Sequence, residues 1–420
     1  MRDELLDEAT YERTRAEQRR WRTARSPGMS RRELLALAAA SAPILAGVGG
    51  LARPARARGA QAASPIVKPL PPEWFVNFGS NAEMRWDAAI DQGYTIANER
   101  FFVRDHTSTP TIDPATWSLR VFGSGLRGGP LELTYDDLER LPRRSITSFV
   151  ECAGNGRSLF AGQQGTPAAG TQWGLGAIGV ARWTGVPLAA VLERAGVRRD
   201  AVDVMPHGLD PTVVTNGVDQ GHVRRPLPIA KAWRDALLAF EMNGETLPPD
   251  HGFPARLVVP GWVGIASIKW VGQIEVSAEP LLSPWNTTSY RLTGPTYPPD
   301  QPPLTTQEVK SAFELARGAQ LPARARTTLV GRSWSGHGPL RTVEVSSDGG
   351  RRWRRGRLRP PNLPGAWVRW EIGWTPPAPG AYELLARATD VTGVTQPDTV
   401  PFNDGGYEFW AVARHPVTAV

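Results

Sequence analysis

The run Glu151-Cys152-Ala153-Gly154-Asn155-Gly156-Arg157-Ser158 places the chain's single cysteine in a loop of small residues. Small neighbours let backbone approach a bulky group closely. A cation such as Arg157 nearby favours thiolate over thiol, and a thiolate is a ligand for a soft or redox-active metal. A lone cysteine is more often a small buried hydrophobe, and the loop by itself leaves both outcomes open. With one cysteine the chain forms no internal disulfide, four-thiolate zinc site or iron–sulfur cluster. It has no C-x-x-C-H, so no c-type haem is attached. The six histidines, at 106, 207, 222, 251, 337 and 415, show no i, i+4 pairing. Any metal here is held by few protein ligands.

Further chemistry-bearing residues fall in ordered segments. Phe102-Val103-Arg104-Asp105-His106 precedes the cysteine loop. Trp173-Gly174-Leu175-Gly176-Ala177-Ile178 and Ala181-Arg182-Trp183 follow it. Glu241-Met242-Asn243-Gly244 leads to Asp250-His251-Gly252-Phe253-Pro254-Ala255-Arg256. Val259-Pro260-Gly261-Trp262-Val263-Gly264 then runs on to Lys269-Trp270. Together with the cysteine loop, these segments resemble the sulfite oxidase family of molybdenum–pterin oxidoreductases over roughly residues 74–410.

The resemblance implies a mononuclear molybdenum held by one pterin dithiolene, oxo groups and the Cys152 thiolate. It carries pterin and phosphate contacts onto Phe102, Val103, Arg104, Asp105, His106, Asp210, His251, Arg256, Ser267, Ile268 and Lys269. Arg256 and Lys269 are suitable phosphate anchors. It places Arg104 and Arg157 against a small oxyanion, with His106 tuning that region and Tyr290 donating a hydrogen bond or a proton. The implied reaction is oxidation of sulfite to sulfate, with electrons passed to a separate carrier such as a cytochrome. Two basic positions of the animal enzymes have no counterpart. Phe160–Gln172 contains no basic residue, and no Arg lies between Arg387 and Arg414. A reductase of an S-oxide, N-oxide or nitrate on the same cofactor, and a non-catalytic exported binding protein, therefore stand as alternatives.

Two other motifs carry less. Gly174-Leu175-Gly176-Ala177-Ile178-Gly179 fits G-x-G-x-x-G, but a dinucleotide site needs an apolar strand just before it, and Thr166–Gln172 is small and polar. Asn286-Thr287-Thr288 is a glycosylation sequon of a kind that arises by chance.

The elements that must position these residues are mostly strands. The chain has 420 residues, 16 Trp and 39 Pro; the first number implies more than one domain, the others much β structure. Net charge is +7, of which residues 1–58 contribute 12 Lys/Arg less 7 Asp/Glu, or +5. The remaining +2 gives no case for nucleic acid. Residues 1–58 contain Ser30-Arg31-Arg32 ahead of an apolar stretch and Ala55-Arg56-Ala57. This resembles a twin-arginine export signal, with a membrane anchor as the alternative. Residues 59–72 read as a linker.

Residues 73–285 form the expected catalytic domain. It holds strands at Trp117–Phe122, Arg144–Val150, Arg256–Val259 and Ala266–Val276, a helix at Pro187–Ala195, and a strand from Ala236 turning at Asn243-Gly244. Residues 286–310 read as an interdomain segment. Residues 311–415 alternate as short strands at Arg326–Ser333, Arg341–Ser347, Arg351–Leu358, Trp367–Trp374 and Tyr382–Thr389, with a hairpin turn at Asp348-Gly349-Gly350. The expected fold is an α+β molybdopterin-binding domain of the sulfite oxidase type. An all-β immunoglobulin-like sandwich follows it, which in the family pairs two chains as a homodimer.

Overall fold

The structure is a computed structural model, and it describes residues 65–90 and 92–420. The twin-arginine region and most of the linker lie outside the described residues. A three-stranded antiparallel sheet (Phe75–Asn77, Asn81–Met84, Val103–Arg104) opens the fold. Beside it stand two larger sheets. One orders Leu227–Pro228, Asp203–Gly208, Val271–Ser277, Ser118–Phe122 and Leu131–Thr134. Its Val271–Ser277 and Ser118–Phe122 strands run parallel, the rest antiparallel. The other orders Glu245–Thr246, Leu237–Met242, Ile178–Pro187 and Arg144–Glu151, with Arg256–Val258 also pairing to Leu237–Met242. Short helices at Tyr135–Glu139, Leu188–Arg194 and Ile229–Arg234 connect the strands.

The C-terminal strands build two facing sheets. Lys310–Phe313, Thr327–Trp334, Trp367–Trp374 and Arg357–Arg359 form one. Ala319–Leu321, Arg414–Ala419, Gly380–Asp390, Leu340–Ser346 and Arg354–Arg355 form the other. Phe313, Leu329, Val343, Trp370 and Leu384 are buried between them, the arrangement of an immunoglobulin-like sandwich. Part of the core is shared by both domains. Phe149, Val150 and Cys152 pack in one cluster with Ala312, Trp334 and Trp367.

Most expected elements form within a residue or two of their boundaries. Asn243 and Gly244 both take positive φ, 56° and 87°, the pattern of a type I′ hairpin turn. Two segments differ. The strand expected from Ala266 begins only at Val271. Gly264–Ala266 is a 3-10 turn, and Trp270 sits at φ 52°, which no strand accommodates. The run Arg351–Leu358 is not one strand but two pieces on either side of Gly356. Arg354–Arg355 pairs with Leu340–Ser346, while Arg357–Arg359 crosses to Trp367–Trp374. At the glycine motif, the strand follows the glycines rather than preceding them. The amides of Gly174 and Gly176 already donate to the Glu83 carboxylate, at 2.8 and 2.7 Å.

Candidate active site

Cys152 stands at the end of the Arg144–Glu151 strand, where the sheet stops and a loop leads into the helix Ser158–Gln164. Its amide donates to Ala177 O at 2.9 Å, fixing the turn. Gly156 takes φ 93°, so a β-carbon there would be strained. Gly154 has a different reason: a β-carbon would meet the Arg157 guanidinium at 2.6 Å. The small residues of this loop thus let Arg157 fold back against it.

Cys152 forms part of the wall of a cavity. Twelve of the fourteen residues singled out from the sequence line it: Phe102, Arg104, Asp105, His106, Cys152, Asp210, His251, Arg256, Ser267, Ile268, Lys269 and Tyr290. Val103 and Arg157 do not. Val103 alternates with Arg104 on one strand, so the two side chains leave on opposite faces. Val103 packs instead with Ile66, Phe75 and Ala82. The Arg157 guanidinium is committed to backbone, donating from Nε to Gly405 O at 3.0 Å and from Nη1 to Thr171 O at 2.9 Å. Its Cζ lies 5.5 Å from the centre of the Tyr407 ring.

One end of the cavity is cationic. Arg256 is 4% exposed and donates only to the carbonyls of Leu257, His251 and Ser267. No carboxylate pairs with it among the described residues, and burial pulls its pKa down to about 9. A guanidinium stays charged in proteins, so this is a buried cation without an ion pair among the described residues, its charge favoured only from a distance by Asp105. Lys269 contacts Asp105 and donates to Asp250 O at 2.7 Å. The Asp250 carboxylate accepts the amides of Val67 and Lys68, each at 2.8 Å, which ties residues 67–68 down beside the cavity. His251 is neutral: burial lowers its pKa well below 6.5, with Lys68, Lys269 and Arg256 adding to the effect.

The other part of the wall holds Arg104, His106 and Tyr290. The Arg104 guanidinium makes no hydrogen bond or ion pair to protein among the described residues, although partial burial works against its charge. Its pKa is nevertheless raised, with Tyr290 the largest of the groups that favour its charge. Burial lowers the His106 pKa well below 6.5, and Arg104 and Lys269 push the same way. The Tyr290 hydroxyl lies 3.4 Å from His106 Nε2. Burial raises its pKa, so it is a protonated phenol at neutral pH. The Tyr290 ring stacks on Tyr407, 5.2 Å between centres and 18° between planes.

Several neighbours were not singled out as site residues. Phe101, Asp250 and Trp270 line the cavity beside residues that were. Asp250 and Trp270 stood in the Asp250-His251 and Lys269-Trp270 runs, whereas Trp285 and Tyr407 reach the site from remote segments. The segment read as an interdomain connector is ordered here: it begins in the short helix Pro284–Thr287 and delivers Tyr290 to the cavity.

An oxidoreductase molybdopterin binding domain matches residues 106–285, and a Mo-co oxidoreductase dimerisation domain matches residues 308–408. Sulfite oxidase of Gallus gallus is 37% identical over 329 residues, covering 74% of this chain and 70% of that protein. The chain belongs to the sulfite oxidase family. Mitochondrial sulfite oxidase of Homo sapiens is 36% identical over 331 residues, and this chain spans 59% of its length. Among solved structures, the sulfane dehydrogenase SoxCD of Paracoccus pantotrophus superposes with a TM-score of 0.69 at 28% identity, covering 82% of this chain and 85% of that one.

The donor set fits the molybdopterin of this family. Among the described residues, no three His, Cys, Asp or Glu side chains gather as a metal site, which suits a metal needing one thiolate. Arg256, which has no ion pair among the described residues, and the adjacent Lys269 suit an anionic tail, and Asp210 offers a carboxylate acceptor in the same wall.

Proposed function

We propose that this protein oxidises sulfite to sulfate at this cavity, SO₃²⁻ + H₂O → SO₄²⁻ + 2H⁺ + 2e⁻. One observation carries the reading: a half-buried guanidinium, Arg104, with no hydrogen-bonded or ion-paired partner among the described residues shares a wall with the Cys152 thiol and the Tyr290 phenol. Cys152 would hold the molybdenum, while Arg256, Lys269, Asp210 and His251 would hold the pterin and its phosphate. When bound, that group would supply two-electron acceptance and oxygen-atom transfer at the site.

Arg104 would orient the anion through paired N–H donors, the geometry in which guanidinium recognises an oxyanion. His106 stays neutral and adds no competing charge. Tyr290, protonated at working pH, would donate to a substrate oxygen. Arg157 would act from behind Tyr407, steadying the stacked pair and adding positive potential. The electrons would leave to a separate carrier such as a cytochrome.

Losing a hydrogen bond to a charged group costs about 1.5–3 kcal/mol. Arg104→Gln should therefore lower kcat/KM for sulfite roughly 10–100-fold. Steady-state assays with an artificial one-electron acceptor measure it. No sulfite turnover by wild-type protein fully loaded with molybdenum would reject the substrate.

The protein is further proposed to be exported through the twin-arginine motif and to pair through its sandwich. Arg31→Lys with Arg32→Lys should leave precursor in the cytoplasm, and unaltered export of the double variant would count against that route. Light scattering should report twice the chain mass. A monomer at micromolar concentration would remove the pairing without touching the fold.

A further inference from the structure

Trp285 has no role in the assignments above. It is 4% exposed, in the short helix just ahead of Tyr290. Its backbone carbonyl accepts from Arg225, and the Arg224 guanidinium lies 5.7 Å from its ring centre, so both backbone and indole are anchored. The indole Nε1–H donates to His106 Nε2 at 3.1 Å. The rings meet edge to face, 5.8 Å apart at 84°.

An indole N–H is a donor and never an acceptor. The Nε2 it meets must therefore be the unprotonated nitrogen of the imidazole. His106 then carries its single ring proton on Nδ1. A second proton would set two N–H groups against each other, with the Arg104 and Lys269 cations adding repulsion. The Tyr290 hydroxyl approaches the same Nε2, but at 3.4 Å rather than 3.1 Å. That nitrogen has one in-plane lone pair, and the closer donor takes it.

We propose that Trp285 is a positioning residue: by filling the His106 Nε2 lone pair, it fixes the histidine's tautomer and leaves the Tyr290 hydroxyl proton for a substrate oxygen. The tautomer follows from the contact geometry alone. The consequence for Tyr290 rests on the sulfite reading above.

The two parts are tested separately. Full-length protein without cofactor, labelled with ¹⁵N at histidine and tryptophan, reports the first by NMR. The expected result is a His106 ring protonated at Nδ1 only, with a through-hydrogen-bond coupling between Trp285 Nε1 and His106 Nε2. A ring protonated at Nε2 overturns the proposal whether or not the protein oxidises sulfite, and this measurement needs no variant to fold. The second part uses molybdenum-loaded protein and the Trp285→Phe variant, which keeps an aromatic ring and removes the donor. Its kcat/KM should fall about tenfold, the size of one hydrogen-bond loss. Trp285→Phe added to Tyr290→Phe should cost nothing further, because one residue acts through the other. Full additivity of the two losses overturns the link to Tyr290 and leaves the tautomer result standing.

Discussion

Cys152→Ser is expected to abolish turnover while the fold and the cationic end of the cavity persist. Cys152 is 9% exposed and faces the cavity, so a serine hydroxyl there is not trapped without partners. The change is one of ligand chemistry. An alkoxide is harder than a thiolate and suits a soft metal poorly. Changing residues that merely support a metal ligand costs roughly 10–100-fold in affinity or activity, and removing the single protein ligand should exceed that. Arg256 and Lys269 lie elsewhere on the wall and remain, so pterin should be retained better than activity. Elemental analysis, pterin release and sulfite turnover on one preparation separate these quantities. Activity within tenfold of wild type at full metal loading would show that the metal is not held through Cys152.

The site was legible where its chemistry is local in sequence, and illegible where the fold brings distant segments together. The cysteine loop, the Phe102–His106 segment and the Asp250–Arg256 run are short strings that carry the family resemblance, and residues of all three line one cavity. Strands with period-2 alternation, such as Trp367–Trp374, were found at their true boundaries. Arg157 shows the limit. The resemblance placed it against the substrate, yet two backbone carbonyls from residues 171 and 405 capture its guanidinium. Nothing within the loop encodes those acceptors. Trp285 is similar, since its partner His106 is 179 positions away. The strand expected from Ala266 failed for a local reason: apolar content suggested extension, but a positive φ at Trp270 interrupts it.

The second large effect is expected at the junction of the two domains. Lys310→Met should destabilise the protein by about 3–5 kcal/mol, the cost of leaving one partner of a buried ion pair alone. Lys310 is 2% exposed on the first strand of the sandwich, and its Nζ lies 2.8 Å from Glu151 Oε1. Burial pulls the lysine pKa down, but the charges of Glu151 and Glu408 more than reverse it. Glu151 is fully buried and directly precedes Cys152. Its carboxylate also accepts from Trp334 Nε1 at 2.8 Å and Asn155 Nδ2 at 2.9 Å, and its carbonyl accepts from Gln307 Nε2 at 2.9 Å. The sandwich therefore supplies two of the groups that hold the root of the cysteine loop, Lys310 and Trp334, and the connector a third, Gln307.

Without Lys310, that carboxylate would keep neutral donors only. It would also sit near Glu408, whose pKa burial already pushes up to about 8. At roughly 2–4 °C per kcal/mol, the melting temperature should drop about 6–20 °C. Adding Glu151→Gln should restore much of the loss, since neutralising both partners removes the stranded charge. Calorimetry of the single and double variants decides this. A loss below about 1 kcal/mol in Lys310→Met would mean the pair is not what couples the domains. A large loss that Glu151→Gln reverses would tie the cysteine loop's rigidity to the sandwich through this one contact. The second domain would then serve the site directly, as the wall against which the metal-binding loop is braced.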